Sequence, residues 1–155
     1  MRKIFVSLAL IYCLVFMVGC NESQDDKTAK VYCDNVLIFL QNSDEENLKQ
    51  LFCKEVQNSN DFEKEIKAVV DFFDGKIISH DRYSISEGDS WTDGECDQSH
   101  ASPIIFNVLT DTDKIYIVSF FMYTEHKDES KIGITSLSIT DENGDKKSAG
   151  YFIEY

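Results

Sequence analysis

The hydrophobic period of this chain changes once, at Gly75, and that change constrains its fold more than any other feature. Before Gly75, apolar residues recur every three to four positions, which gathers them on single faces of helices. After it they alternate with polar residues, which gathers them on single faces of strands. Helices first and strands after them predict an α+β domain with an antiparallel sheet.

Three helices are expected. The first buries Ala29, Tyr32, Cys33, Val36, Leu37 and Leu40. The second opens on Ser43-x-x-Glu46, a capping box in which each side chain satisfies the other residue's free backbone N–H, and buries Leu48, Leu51, Phe52 and Val56. The third opens on Asn60-x-x-Glu63 and buries Phe62, Ile66, Val69, Val70 and Phe73, with Gly75 as its stop. Strands are expected over residues 76–86, 102–110, 114–124 and 131–140, with a short fifth over 150–155. Asp111-Thr112-Asp113 reads as the turn of a hairpin. In the fourth strand, Ile132 and Ile134 are out of phase with Leu137 and Ile139, so one extra residue, a β-bulge, is expected near Thr135-Ser136.

The N-terminus carries a separate message. Arg2 and Lys3 precede an apolar run from Ile4 to Val18, too short for an ordinary membrane span of about twenty residues. Such a run matches a secretory signal. It ends in Met17-Val18-Gly19-Cys20, which resembles a bacterial lipobox with methionine in place of the commoner leucine. The resemblance implies cleavage before Cys20 and a lipid-bearing thioether on its sulfur. The expected organisation is a signal peptide over 1–19, a lipidated Cys20 with a polar tether to residue 27, and one domain over 28–155. That places the domain at the cell membrane, anchored by lipid on its extracytoplasmic face.

Losing Arg2 and Lys3 takes the formal net charge from −13 to −15. So acidic a surface repels nucleic-acid phosphates, and nucleic acid is not an expected partner. A small molecule, a peptide or an envelope protein remains.

The segment Phe72-Phe73-Asp74-Gly75-Lys76-Ile77-Ile78-Ser79-His80-Asp81-Arg82, together with Gly133-Ile134-Thr135-Ser136-Leu137, resembles an uncharacterised family of small Gram-positive lipoproteins. The resemblance covers most of residues 28–140, though not Ser90 to Ser102. It implies the cone-shaped fold of nuclear transport factor 2 and cystatin-like proteins, with helices packed on a curved, bulged sheet of four to five strands. It implies no activity.

No nucleophile, base and orienting partner stand at a recognisable spacing, so the expectation is a binding domain without catalysis or cofactor. Its candidate pocket or interaction residues are Asp81, Tyr83, Trp91, Tyr116 and Tyr123. Asp81 and Tyr83 share a strand face with Ile77 and Ile85. Tyr116 and Tyr123 fall on opposite faces, so at most one points inward. An alternative is a small-molecule enzyme in which burial raises the Asp81 carboxyl until it serves as a general base. Another is an interaction or inhibitory module that presents a loop over 87–101, with Trp91 as its anchor. Cys96-x-x-x-His100 with His80 falls short of the paired ligands usual for zinc, and no metal is expected. Asp141-x-Asn143-Gly144-Asp145 lacks the closing glutamate of a calcium loop and reads as a turn. Cys33 and Cys53 form a possible disulfide if the first two helices pack antiparallel, leaving Cys96 unpaired.

Overall fold

The computed structural model describes residues 23–153 and is α+β, with four α-helices and a six-stranded antiparallel sheet among them. The expected signal peptide, lipobox and lipidated Cys20 lie outside the described residues. No helix among the described residues is long and apolar enough to cross a membrane.

Helix α1 runs Gln24–Gln41. Its start is set by Ser23, whose hydroxyl accepts from the Asp26 N–H at 2.8 Å, while Asp25 and Asp26 face the positive end of the helix dipole. Residues 24–27, expected in the tether, are therefore helical. Ala29, Cys33, Val36, Leu37 and Leu40 form the buried stripe that the spacing predicts.

The expected second helix is two short ones, α2 Glu45–Gln50 and α3 Lys54–Gln57. The capping box does not form. Ser43 takes φ 52, and Asp44 caps α2 by accepting from the Asn47 N–H at 3.1 Å. The break at Leu51-Phe52-Cys53 has a tertiary cause. Leu51 O accepts from the Ile134 N–H at 2.9 Å, and the Cys53 N–H donates to Ile134 O at 2.9 Å. The chain leaves the helix here to form a bridge with Ile134 of the sheet. The Gln57 amide donates to the carbonyls of Lys49 and Phe52 beside the break. Helix α4 is Phe62–Phe72, and it buries Phe62, Ile66, Val69 and Val70 as expected. Its start is Asp61, without a side-chain capping bond, rather than Asn60.

The strands are β1 Ile77–Ser79, β2 Ser84–Thr92, β3 Glu95–Thr110, β4 Ile115–His126, β5 Gly133–Asp141 and β6 Lys146–Gly150. Their order is β1-β3-β4-β5-β6, with β2 also paired to β3. Four expectations need correction. The first predicted strand is interrupted over residues 80–83. The presumed loop over 87–101 is a β2–β3 hairpin turned by Asp93-Gly94, both at positive φ. In the second predicted strand Ile105 and Val108 are buried while Phe106 is exposed, because the register with β4 shifts between Ile105 and Val108. The last strand ends at Gly150 instead of beginning there. The β3–β4 hairpin and the bulge in β5 are as expected. Phe121 faces Ser136 and Met122 faces Ile134, so Thr135 is the extra residue, and Ile134, Leu137 and Ile139 are all buried.

The core fills the space between helices and sheet, with α1 against β3 and α4 against β6. Each large apolar side chain withdrawn there contributes about 1.5–3 kcal/mol. Cys33, Cys53 and Cys96 are free thiols. The possible Cys33–Cys53 bridge is not formed: the helix break puts Cys53 at the N-cap of α3, with its N–H bound to Ile134 O.

Candidate functional site

A groove runs along α1, opposite the interruption between β1 and β2. Its origin is a pair of matched irregularities. Ser79 pairs with Leu109 and Ser84 pairs with Ile104, so residues 80–83 lie beside the bulged stretch of β3. Asn107 adopts φ 52 there, and its amide donates to the Asp81 carboxylate at 2.7 Å. The Asp81 N–H donates to Phe106 O at 3.0 Å. Asp81 thus ties the interruption to the bulge, while His80 and Tyr83 turn toward α1.

The segment crosses α1 in the opposite direction to the helix. Lys76 Nζ donates to Gln41 O at 2.6 Å, the Tyr83 hydroxyl donates to the Asp34 carboxylate, and the Ser23 hydroxyl donates to Glu87 at 2.8 Å. Between these ties lie two adjoining recesses. One, of about 330 Å³, is lined by Asp34, Leu37, Ile38, Gln41, Ile77, His80 and Tyr83. The other, of about 390 Å³, is lined by Lys30, His80, Arg82 and Tyr83. On α1 the lining residues Lys30, Asp34, Leu37, Ile38 and Gln41 recur at helical spacing and form one stripe beside the buried face.

His80 and Tyr83 are the plate shared by both recesses. Their rings are 5.3 Å apart and 8° from parallel. The His80 Nδ1–H donates to the Asp81 carbonyl at 2.7 Å, which fixes the ring's orientation. Tyr83 holds its proton more firmly than an ordinary phenol, first because it is partly buried and second because the Asp34 carboxylate accepts from it. It is a hydrogen-bond donor here and not a base.

The sequence-derived candidates separate. Tyr83 lies in the groove. Asp81 is exposed, so it lacks the burial that a general base would need. Tyr116 is a core residue on β4, stacked on Phe73 at 4.7 Å, donating to Phe72 O at 3.2 Å and accepting from the Asp74 N–H at 3.1 Å. It closes the end of α4 over the sheet. Tyr123 is out of phase with Tyr116, as expected, yet it is equally buried: it meets Phe121 and His126 edge-on and donates to Ile153 O at 3.2 Å. The expectation of at most one inward tyrosine correctly separates the faces but misses that both are covered. Trp91 is 63% exposed near the tip of the β2–β3 hairpin, away from the groove.

Among the described residues no three histidine, cysteine or acidic side chains converge as metal ligands. His100 packs over Gly88 of the neighbouring strand and stacks on Phe121 at 5.1 Å. Cys96 lies 3.5 Å from the Ser99 hydroxyl. Asp141 spends its carboxylate on the N–H groups of Asn143 and Asp145, which makes that segment a turn.

Sequence reasoning missed Lys30, Asp34, Ile38, Gln41 and Arg82 as groove residues. A usable signal was present in the helical spacing of the four on α1 and in Arg82 as the sole arginine after Arg2.

A family model described as a domain of unknown function (DUF5104) matches residues 35–142, and the chain belongs to that family. The match spans the helices beyond the start of α1 and the sheet through β5. No curated protein matches the chain.

Proposed function

We propose that this DUF5104 domain is a lipid-anchored, extracytoplasmic binding domain that holds a small ligand in the α1 groove without transforming it. The observation that carries the reading is the groove itself: two adjoining recesses, one walled partly by Leu37, Ile38 and Ile77, that share the His80 and Tyr83 rings, each held by a hydrogen bond. Binding sites commonly combine apolar lining with a few oriented polar groups. The lipobox-like Met17-Val18-Gly19-Cys20 supports the anchor, and the bulged sheet packed on helices supports kinship with the cone-shaped fold. The Asp81 enzyme reading loses support from the exposure of that carboxylate and its bond to Asn107.

One observation favours a second reading. Trp91 stands exposed on a hairpin whose tip extends past the last β3–β4 pair, Gln98 with His126. A tryptophan so placed suits a partner protein, because tryptophan is enriched at interface hot spots.

Two measurements test the proposal. Intact mass of the native protein should show loss of residues 1–19 and acyl chains on Cys20; an unprocessed, unacylated chain sinks the anchor. Ligand capture on native envelopes should retain a small molecule that Ile38→Glu releases and Trp91→Ala does not. The opposite pattern would transfer the function to the hairpin.

A further inference from the structure

We infer that the groove selects ligands with an anionic head, a carboxylate or a phosphate, on an apolar body. The inference rests on the binding reading above and adds the ligand's chemical class. The head lies at the Lys30–Arg82 end, and the body lies against Leu37, Ile38 and Ile77.

Arg82 carries the argument. In a chain of net charge −13 it is the one arginine among the described residues, and it lines the larger recess. Lys49, Lys67, Lys114 and Lys127 each sit within 4 Å of a carboxylate, and Lys30 is 2.7 Å from Asp26. Arg82 makes no ion pair with any described residue, as is true of Lys27, Lys54, Lys64, Lys76, Lys131, Lys146 and Lys147; what sets it apart is its planar fork and its place in the larger recess. The carboxylates of Asp81 and Asp34 each have a neutral hydrogen-bond donor as partner and no ion pair to Arg82. Asp81, its neighbour in sequence, accepts from Asn107, and Asp34, in the adjoining recess, accepts from Tyr83. A guanidinium presents its donors in a planar fork that fits two oxygens of a carboxylate or phosphate. Beyond the fork, the parallel rings of His80 and Tyr83 and the aliphatic side chains of Leu37, Ile38 and Ile77 form a strip that offers dispersion contacts, and the Asp34 carboxylate beside it, held by the Tyr83 hydroxyl, keeps a second anionic group out of that recess. The strip fits a hydrocarbon or a flat ring.

The test uses the full chain with its anchor in phosphatidylcholine nanodiscs. The probes are phenyl phosphate, phenylacetate, inorganic phosphate and phenethylammonium, read by calorimetry and by backbone amide shifts of His80 and Tyr83. Phenyl phosphate and phenylacetate should bind, inorganic phosphate should bind far more weakly, and phenethylammonium should not bind. Arg82→Gln should weaken phenyl phosphate by about tenfold, the usual scale of a charge-assisted hydrogen bond, and Arg82→Lys by less. If phosphatidylglycerol in the nanodisc competes with phenyl phosphate in an Arg82-dependent way, the head belongs to a lipid; without competition it belongs to a free anion. Equal binding of phenethylammonium and phenylacetate, with amide shifts in the groove, would overturn the anion selectivity and leave the binding groove standing. An Arg82→Gln variant with unchanged phenyl phosphate affinity would do the same. No shift at His80 or Tyr83 with any probe would overturn both.

Discussion

At the scale of single residues, three glycines at positive φ form a graded test of how closely the backbone packs. A Cβ on Gly150 would stand 2.2 Å from Thr135 O, and one on Gly133 would stand 2.9 Å from Leu51 O. A Cβ on Gly144 would meet nothing within 4 Å. Gly144→Ala should therefore cost only the conformational strain of about 1–2 kcal/mol, whereas Gly150→Ala should cost clearly more because the bulge carbonyl must move. Urea unfolding of the two variants checks the ranking, and equal losses would contradict it. Cys33 gives a second test. Burial, reinforced by the nearby Asp34 charge, pushes its thiol from 9.0 up to about 12. A folded pKa above the unfolded one means that its stabilising effect is complete below pH 9 and is lost as pH rises from 9 toward 12. The contribution to the slope is about 1.4 kcal/mol per pH unit, and Cys33→Ala should flatten the alkaline limb of the stability curve by about that much. The same burial should leave Cys33 unalkylated by iodoacetamide in the folded protein while the less buried Cys96 reacts, a difference that peptide mapping would show.

At the scale of elements, the broken helix and the hairpin are the informative cases. Gln57 donates to two carbonyls beside the break between α2 and α3. Gln57→Ala should destabilise the fold by about 1–2 kcal/mol in chemical denaturation, and Gln57→Glu, which has no amide donor, should do no better. The hairpin makes the contrary prediction. With Trp91 63% exposed, Trp91→Ala should change stability by no more than about 0.5 kcal/mol, and the native tryptophan emission should be red-shifted and readily quenched. These two elements also show what a sequence can disclose. The stripes on α1 and α4 and the Thr135 bulge were readable because each follows from periodicity within one segment. The break at Leu51-Phe52-Cys53 was not, because its cause is Ile134, about eighty residues away. The β2–β3 hairpin was readable in principle from Asp93-Gly94, but its strands carry little hydrophobic alternation to announce them. The groove failed for the same reason as the break. Tyr83 could be named from its strand, but its partner Asp34 lies on the first helix, and only the antiparallel crossing brings them together.

At the scale of the whole molecule, charge sets the environment in which the groove works. A net charge of −13 makes the folded state repel itself. Raising monovalent salt from roughly 10 mM to roughly 200 mM should raise the melting temperature, as the screening length falls to about 8 Å near physiological salt. A flat or falling melting temperature would mean that the local ion pairs outweigh the repulsion. The crossing of α1 by residues 76–87 adds direction to this picture. Ser23 is tied to Glu87 at one end and Gln41 to Lys76 at the other, with the Arg82 recess toward the Ser23 end. Cys20 precedes Ser23 by three residues, a reach of about 10 Å. The Arg82 recess is therefore the part of the groove nearer the proposed tether, and the recess walled by Leu37, Ile38 and Ile77 is the farther part.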